Sequence, residues 1–121
     1  GTCAGLILMA KKGDGQVERT GQKLLGLMDI EVNRNAFGRQ RESFEAEIEM
    51  DLGDGNRKFM FPAVFIRSPI ITRAYGTARA LARLDGKIVA AEQGNLLATA
   101  FHPELSVDWR LHEYFLNKIR H

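Results

Sequence analysis

The clearest pattern in the chain is Phe44-Glu45-Ala46-Glu47-Ile48-Glu49-Met50, in which apolar and acidic residues alternate. Successive side chains of a strand point to opposite faces, so this run predicts a strand with one buried and one wet face. Gly53-Asp54-Gly55-Asn56 supplies a turn, and Lys58 to Arg67 returns as a second strand that Pro62 confines to an edge or a bulge. Met28, Ile30 and Val32 alternate with charge in the same way, predicting a strand over Leu25 to Val32. Thr77 to Leu84, Lys87 to Glu92 and Leu96 to Phe101 read as three short strands joined by Asp85-Gly86, a strong hairpin signal, and by Gly94-Asn95. Ser68 to Gly76 between them reads as irregular.

Two stretches carry helical signals. Ala4 to Lys11 is apolar almost throughout and predicts a short buried helix, which Lys12-Gly13-Asp14-Gly15 ends. Val107 to Arg120 predicts an amphipathic helix: Val107, Leu111, Phe115 and Ile119 recur every fourth residue, Ser106 is placed to cap it, and Asp108, Lys118 and Arg120 suit its dipole. His112 on this helix reads as a surface or packing residue. The polar stretch up to Lys23 and the segment Asn33 to Glu42 read as loops. With no repeat, low-complexity tract or linker, residues 1–121 read as a single domain, or a piece of one.

Composition narrows the class of protein. Hydrophobic residues make up 45% and charged residues 26%, enough apolar material for a core. The net charge is +2 with no basic run interleaved with aromatics, which argues against a nucleic-acid partner. No apolar run approaches the ~20 residues of a membrane span, so no membrane partner is expected. A single cysteine excludes an internal disulfide and fits a reducing, cytoplasmic setting. The three histidines and scattered acids make no metal-ligand set, and no cofactor is expected.

That cysteine is the chemically distinctive residue. Gly1-Thr2-Cys3-Ala4-Gly5 has the form Gly-x-nucleophile-x-Gly, where small neighbours permit a sharp strand-to-helix turn that exposes a reactive side chain. A thiol in the first turn of a helix sees unpaired backbone N–H groups, which favour the thiolate. Read alone, the five residues fit a packing residue between glycines equally well. A nucleophile needs a base and the base an orienting group, and Phe101-His102-Pro103-Glu104-Leu105 offers both. In extended chain His102 and Glu104 point to the same side, so Glu104 can hold one ring nitrogen while the other faces Cys3.

Both motifs resemble those of class I, triad-type glutamine amidotransferases. Arg34-Asn35-Ala36-Phe37-Gly38-Arg39-Gln40, Ser43-Phe44-Glu45 and Phe65-Ile66-Arg67-Ser68-Pro69 narrow the resemblance to the glutaminase subunits of pyridoxal 5′-phosphate synthase. The resemblance implies an α/β fold, a three-layer α/β/α arrangement around a central mixed sheet. It implies hydrolysis of L-glutamine to glutamate and ammonia, with Cys3 as nucleophile, His102 moving protons, Glu104 orienting it and the N–H of Ala4 as an oxyanion donor. It places glutamine contacts at Arg34, Ile66 and Arg67. On the residues alone Arg34 fits a solvated loop and Arg67 a plain strand-end charge. The implied partner is the synthase subunit, which receives the ammonia through a channel.

Members of that family begin well before the elbow, with a strand, a helix and a glycine-rich loop that completes the oxyanion hole. The chain therefore reads as the C-terminal part of such a domain with the N-terminal strands missing. An apolar sheet edge and helix face left open in that way are expected to be sticky or to need a partner. Two other readings compete: the glutaminase of another triad-type amidotransferase, such as that of histidine biosynthesis, and a non-catalytic docking piece.

Overall fold

The computed structural model describes residues 1–2, 4–13, 24–34, 43–53 and 58–120. In chain order the elements are helix α1 (Ala4–Met9), strands β1 (Ala10–Lys12), β2 (Met28–Asn33), β3 (Ser43–Met50), β4 (Phe59–Ile66), β5 (Ile70–Ala74), β6 (Arg79–Leu84), β7 (Lys87–Gln93) and β8 (Leu96–Thr99), a 3-10 turn (Pro103–Leu105) and helix α2 (Arg110–Arg120).

Six strands form a mixed sheet in the order β1-β2-β5-β7-β6, with β8 also paired to β7. The β1–β2 pair is parallel and the other ladders are antiparallel. A separate two-stranded sheet is made by β3 and β4 in unbroken register from Ser43↔Ile66 to Met50↔Phe59. Pro62 pairs with Glu47 in this ribbon, where every strand is an edge and a missing N–H does little harm. This is an α/β fold around a mixed sheet.

Alternation decides the packing. Met28, Ile30 and Val32 of β2 are buried while Asp29, Glu31 and Asn33 are half-buried. Adjacent Ala90 and Ala91 of β7 enter different cores, because neighbouring strand residues face opposite sides of a sheet. One core joins Leu6, Ile7 and Met9 of α1 to β2 and to Ile71, Ala91 and Ala98. The other joins the β3–β4 ribbon, Leu81, Val89, Phe101 and Leu111 of α2. In it Phe101 packs between Phe61 and Phe65, with ring centroids 5.6 and 5.7 Å away.

Polar contacts fix α2 on this core. Glu92, 9% exposed, accepts from Arg79 Nη2 at 2.5 Å, from Lys118 Nζ at 2.7 Å and from the Tyr114 hydroxyl. Burial opposes the charge on Glu92, but these donors outweigh it and hold the carboxyl below its ordinary value. At the other end of the helix Arg110 lies over the Phe59 ring at 4.1 Å and donates to the Met60 carbonyl at 3.0 Å.

Three expected elements differ from those observed. The helix expected over Ala4 to Lys11 ends at Met9, and Ala10–Lys12 turns into a strand that pairs beside β2. The stretch expected to be irregular contains β5, which pairs with β2 and β7 and so holds the middle of the sheet. Its Ile70 and Ile71 are buried, but the following Thr and Arg face outward and hide the strand signal. The C-terminal helix starts at Arg110, three residues later than expected. Ser106 Oγ accepts the N–H of Asp108 and Asp108 Oδ1 that of Arg110, so the two side chains make successive turns before the helix begins. Val107 consequently lies outside it, 89% exposed. The Asp85-Gly86 hairpin has both residues at positive φ, 51° and 78°, as its turn type requires. The loops expected around residues 14–23 and 35–42 and the turn at 54–56 lie outside the described residues.

Candidate active site

His102 follows β8 by three residues, in the short link to the 3-10 turn that begins at Pro103. Its N–H donates to the Val64 carbonyl of β4 at 2.8 Å, which anchors this link to the ribbon. The preceding bend is closed by Thr99, 2% exposed, whose hydroxyl donates to the Phe101 carbonyl at 2.9 Å. Pro103 at the head of the turn fits there because its missing N–H would have no helical partner. The turn then brings the Glu104 carboxylate back onto the imidazole, with Oε1 2.5 Å from Nδ1. The pairing expected from extended chain thus arises from a tight turn. A carboxylate only accepts, so Nδ1 carries a proton, which leaves Nε2 as the ring nitrogen that can exchange one.

Gly1 and Thr2 run alongside β8. Thr2 bridges Thr99 in parallel, Gly1 N–H donates to the Leu97 carbonyl at 2.7 Å, and the Gly1 carbonyl accepts from Thr99 N–H at 2.9 Å. The Gly5 N–H donates to the Thr2 carbonyl at 2.8 Å, closing a turn from which α1 departs at Ala4. Cys3 lies outside the described residues. Its chain neighbours Thr2 and Ala4 stand at a strand-to-helix junction beside the strand that leads to His102.

The three expected glutamine contacts lie at strand ends, Arg34 after β2 of the mixed sheet and Ile66 and Arg67 at the end of β4 of the ribbon. Arg34, half-buried, follows the Asn33↔Ile70 pair that ends the β2–β5 ladder. Ile66 closes β4, two residues beyond the Val64 carbonyl that holds His102. Arg67 has a positive φ of 46°, unusual for a residue with a side chain. Ser68, 5% exposed, accepts the Ile66 N–H on its Oγ at 3.1 Å and braces this kink. Val64, Thr99 and Ser68 were not singled out by sequence reasoning. Val64 acts through its carbonyl, which leaves no mark in a sequence, whereas a serine directly before Pro69 at a strand end could have been noticed. Arg39 and Arg41 lie outside the described residues. Among the described residues no group of three or more His, Cys, Asp or Glu could hold a metal, and no helix is long and apolar enough to cross a membrane.

Comparison with known proteins places this geometry. The model of the SNO glutamine amidotransferase family matches residues 1–121. The chain belongs to the SNO glutamine amidotransferase family. Among its relatives, the pyridoxal 5′-phosphate synthase subunit PdxT of Methanosarcina mazei is 61% identical over 119 residues, covering 98% of this chain and 58% of the relative. The subunit of the same name from Archaeoglobus fulgidus is 54% identical over 118 residues, covering 96% of this chain and 56% of its own. A solved structure described as a glutamine amidotransferase superposes on all of this SNO family chain and on 60% of itself, with a TM-score of 0.84 and 46% identity. This SNO family chain therefore spans somewhat under two thirds of the length of the relatives it matches.

Proposed function

We propose that this chain carries the glutaminase chemistry of pyridoxal 5′-phosphate synthase. His102 takes the proton of the Cys3 thiol, the thiolate attacks the side-chain carbonyl of L-glutamine, and His102 passes that proton to the departing nitrogen, releasing ammonia and leaving a thioester. His102 then takes a proton from water, whose oxygen attacks the thioester to give glutamate and return the thiol. Glu104 fixes the tautomer and stabilises the imidazolium. The N–H of Ala4, directly after the nucleophile, donates to the oxyanion, a contribution worth roughly 3 kcal/mol for a well-placed donor. Arg34 pairs with the α-carboxylate, a geometry that suits a guanidinium, and Ile66 and Arg67 line the same substrate. The ammonia passes to a synthase subunit, and the setting is cytoplasmic.

One observation carries this reading: His102 Nδ1 sits 2.5 Å from Glu104 Oε1, at the turn after a strand flanked by the Gly-x-Cys-x-Gly segment. The names of the relatives favour the vitamin B6 synthase over the histidine-biosynthesis glutaminase. The test is ammonia release from glutamine by this chain with the synthase subunit of the Methanosarcina mazei relative, with and without the portion of that relative's glutaminase subunit that this chain does not match. Turnover that disappears in Cys3→Ala supports the proposal, and turnover that survives it removes the mechanism. Absence of ammonia under both conditions favours the second reading, a docking piece that retains triad residues.

A further inference from the structure

The peptide that joins Phe101 to His102 lies beyond the end of β8 at Thr99. Both of its polar groups are bonded all the same: the Phe101 carbonyl accepts the Thr99 hydroxyl at 2.9 Å, and the His102 N–H donates to the Val64 carbonyl at 2.8 Å. Thr99 also reaches the other half of the site, because its own N–H donates to the Gly1 carbonyl, two residues ahead of Cys3, at 2.9 Å. One residue thus bonds to the nucleophile's segment through its backbone and to the base's segment through its side chain. Packing alone does not call for that hydroxyl. Thr99 is buried between Ala98 and Ala100 and opposite Ala90, all three without exposed area. A valine would fill the same space with no polar atom to satisfy, so what the hydroxyl adds is its bond to Phe101.

We infer that Thr99 is a positioning residue for the glutaminase reaction: its hydroxyl fixes the peptide plane from which His102 projects and ties that plane to the segment that carries Cys3. The inference rests on the proposed glutaminase reading. With only its N–H held, by Val64, the peptide can tilt about that bond and carry the imidazole with it. Proton transfer is steep in distance, and a misplacement of about 1 Å costs on the order of 10²-fold in rate. Glu104 does not correct the tilt, because it sits on the turn directly after His102 and moves with the same backbone. Thr99 acts only through His102, so the loss falls on turnover and spares the glutamine contacts assigned to Arg34, Ile66 and Arg67.

The test is ammonia release from glutamine by this chain, assembled with the synthase subunit of the Methanosarcina mazei relative and the unmatched portion of its glutaminase subunit, with Thr99 varied. Thr99→Val keeps the shape and lacks the donor; its kcat falls about tenfold to a hundredfold with KM within about twofold. Thr99→Ser keeps the donor and loses a buried methyl group; its kcat stays within about threefold of the parent chain. Should Thr99→Val fail to fold, Thr99→Ala against Thr99→Ser isolates the same oxygen atom, and a similar kcat ratio is expected. A Thr99→Val kcat within about twofold of the parent overturns the inference and leaves the glutaminase reading standing, as does a loss confined to KM. The same holds if Thr99→Ser is impaired as much as Thr99→Val, with activity following the urea midpoints of the variants, because the role is then structural only. No ammonia from the parent assembly removes the glutaminase reading and this inference with it.

Discussion

His102 Nδ1 and Glu104 Oε1 are 2.5 Å apart because a proline-headed 3-10 turn folds the carboxylate back onto the ring that precedes it. The contact is local, spanning two residues, whereas the backbone of His102 is held by the long-range bond from its amide N–H to the Val64 carbonyl.

Glu104→Gln keeps the shape of this pair but lets an amide nitrogen face Nδ1, which favours the wrong tautomer. The expected loss in glutaminase kcat is on the order of 10²- to 10⁴-fold with KM little changed, measured as ammonia release in the assembled enzyme. An unchanged kcat would mean that Glu104 only shapes the turn.

Arg67 occupies a left-handed conformation at the end of β4, at φ 46°. On the proposed function, in which Arg67 lines the substrate, Arg67→Ala should raise the KM for glutamine by roughly tenfold or more with a smaller effect on kcat, because a binding contact shared by ground and transition state changes KM first. Steady-state kinetics over a range of glutamine concentrations check this.

Glu92→Ala removes the shared acceptor of Arg79 on β6 and of Lys118 and Tyr114 on α2, and leaves both cations without that carboxylate. Because Arg79 is 43% exposed and partly screened, the expected destabilisation is about 2 kcal/mol rather than the larger figure for a fully buried pair. Equilibrium urea unfolding reads it directly.

The same cluster sets a pH window. Glu92 has a folded pKa below its ordinary 4.5, so the stability it adds is present above that value and is lost as pH falls through the folded pKa. Tyr114 moves the opposite way: burial first, then Glu92, push its pKa above the ordinary 10.0. Its contribution is complete below pH 10 and disappears as pH rises towards the folded value. Thermal unfolding followed across pH should fall away at both ends, and Tyr114→Phe should flatten the alkaline limb.

Gly76 sits at φ 57°, and a Cβ there would come within 2.5 Å of Asp29 Oδ2. That carboxylate is restrained by Lys11 and by Gln93 Nε2, so it cannot simply swing away. Gly76→Ala is expected to cost about 2 kcal/mol, from the left-handed backbone and the clash together, again by urea unfolding.

Much of this protein follows from letters alone. Alternation in β2 and β3 identified the strands and their wet faces, Asp85-Gly86 identified a hairpin, and the Gly-Thr-Cys-Ala-Gly and Phe-His-Pro-Glu-Leu segments pointed to triad-type glutamine amidotransferases, which three further segments narrowed to the family, because each of these depends on residues adjacent in sequence. Tertiary structure decided the rest. The strand Ile70–Ala74 exists because β2 and β7 pair on either side of it, and Ala10–Lys12 leaves the helical path because β2 lies alongside. The brace on His102 comes from a backbone carbonyl, and the burial of His112 Nδ1, without a partner among the described residues, comes from what packs around α2. Neither a carbonyl's direction nor the burial of one ring atom is encoded by residue type; both are set by which distant segments pack together.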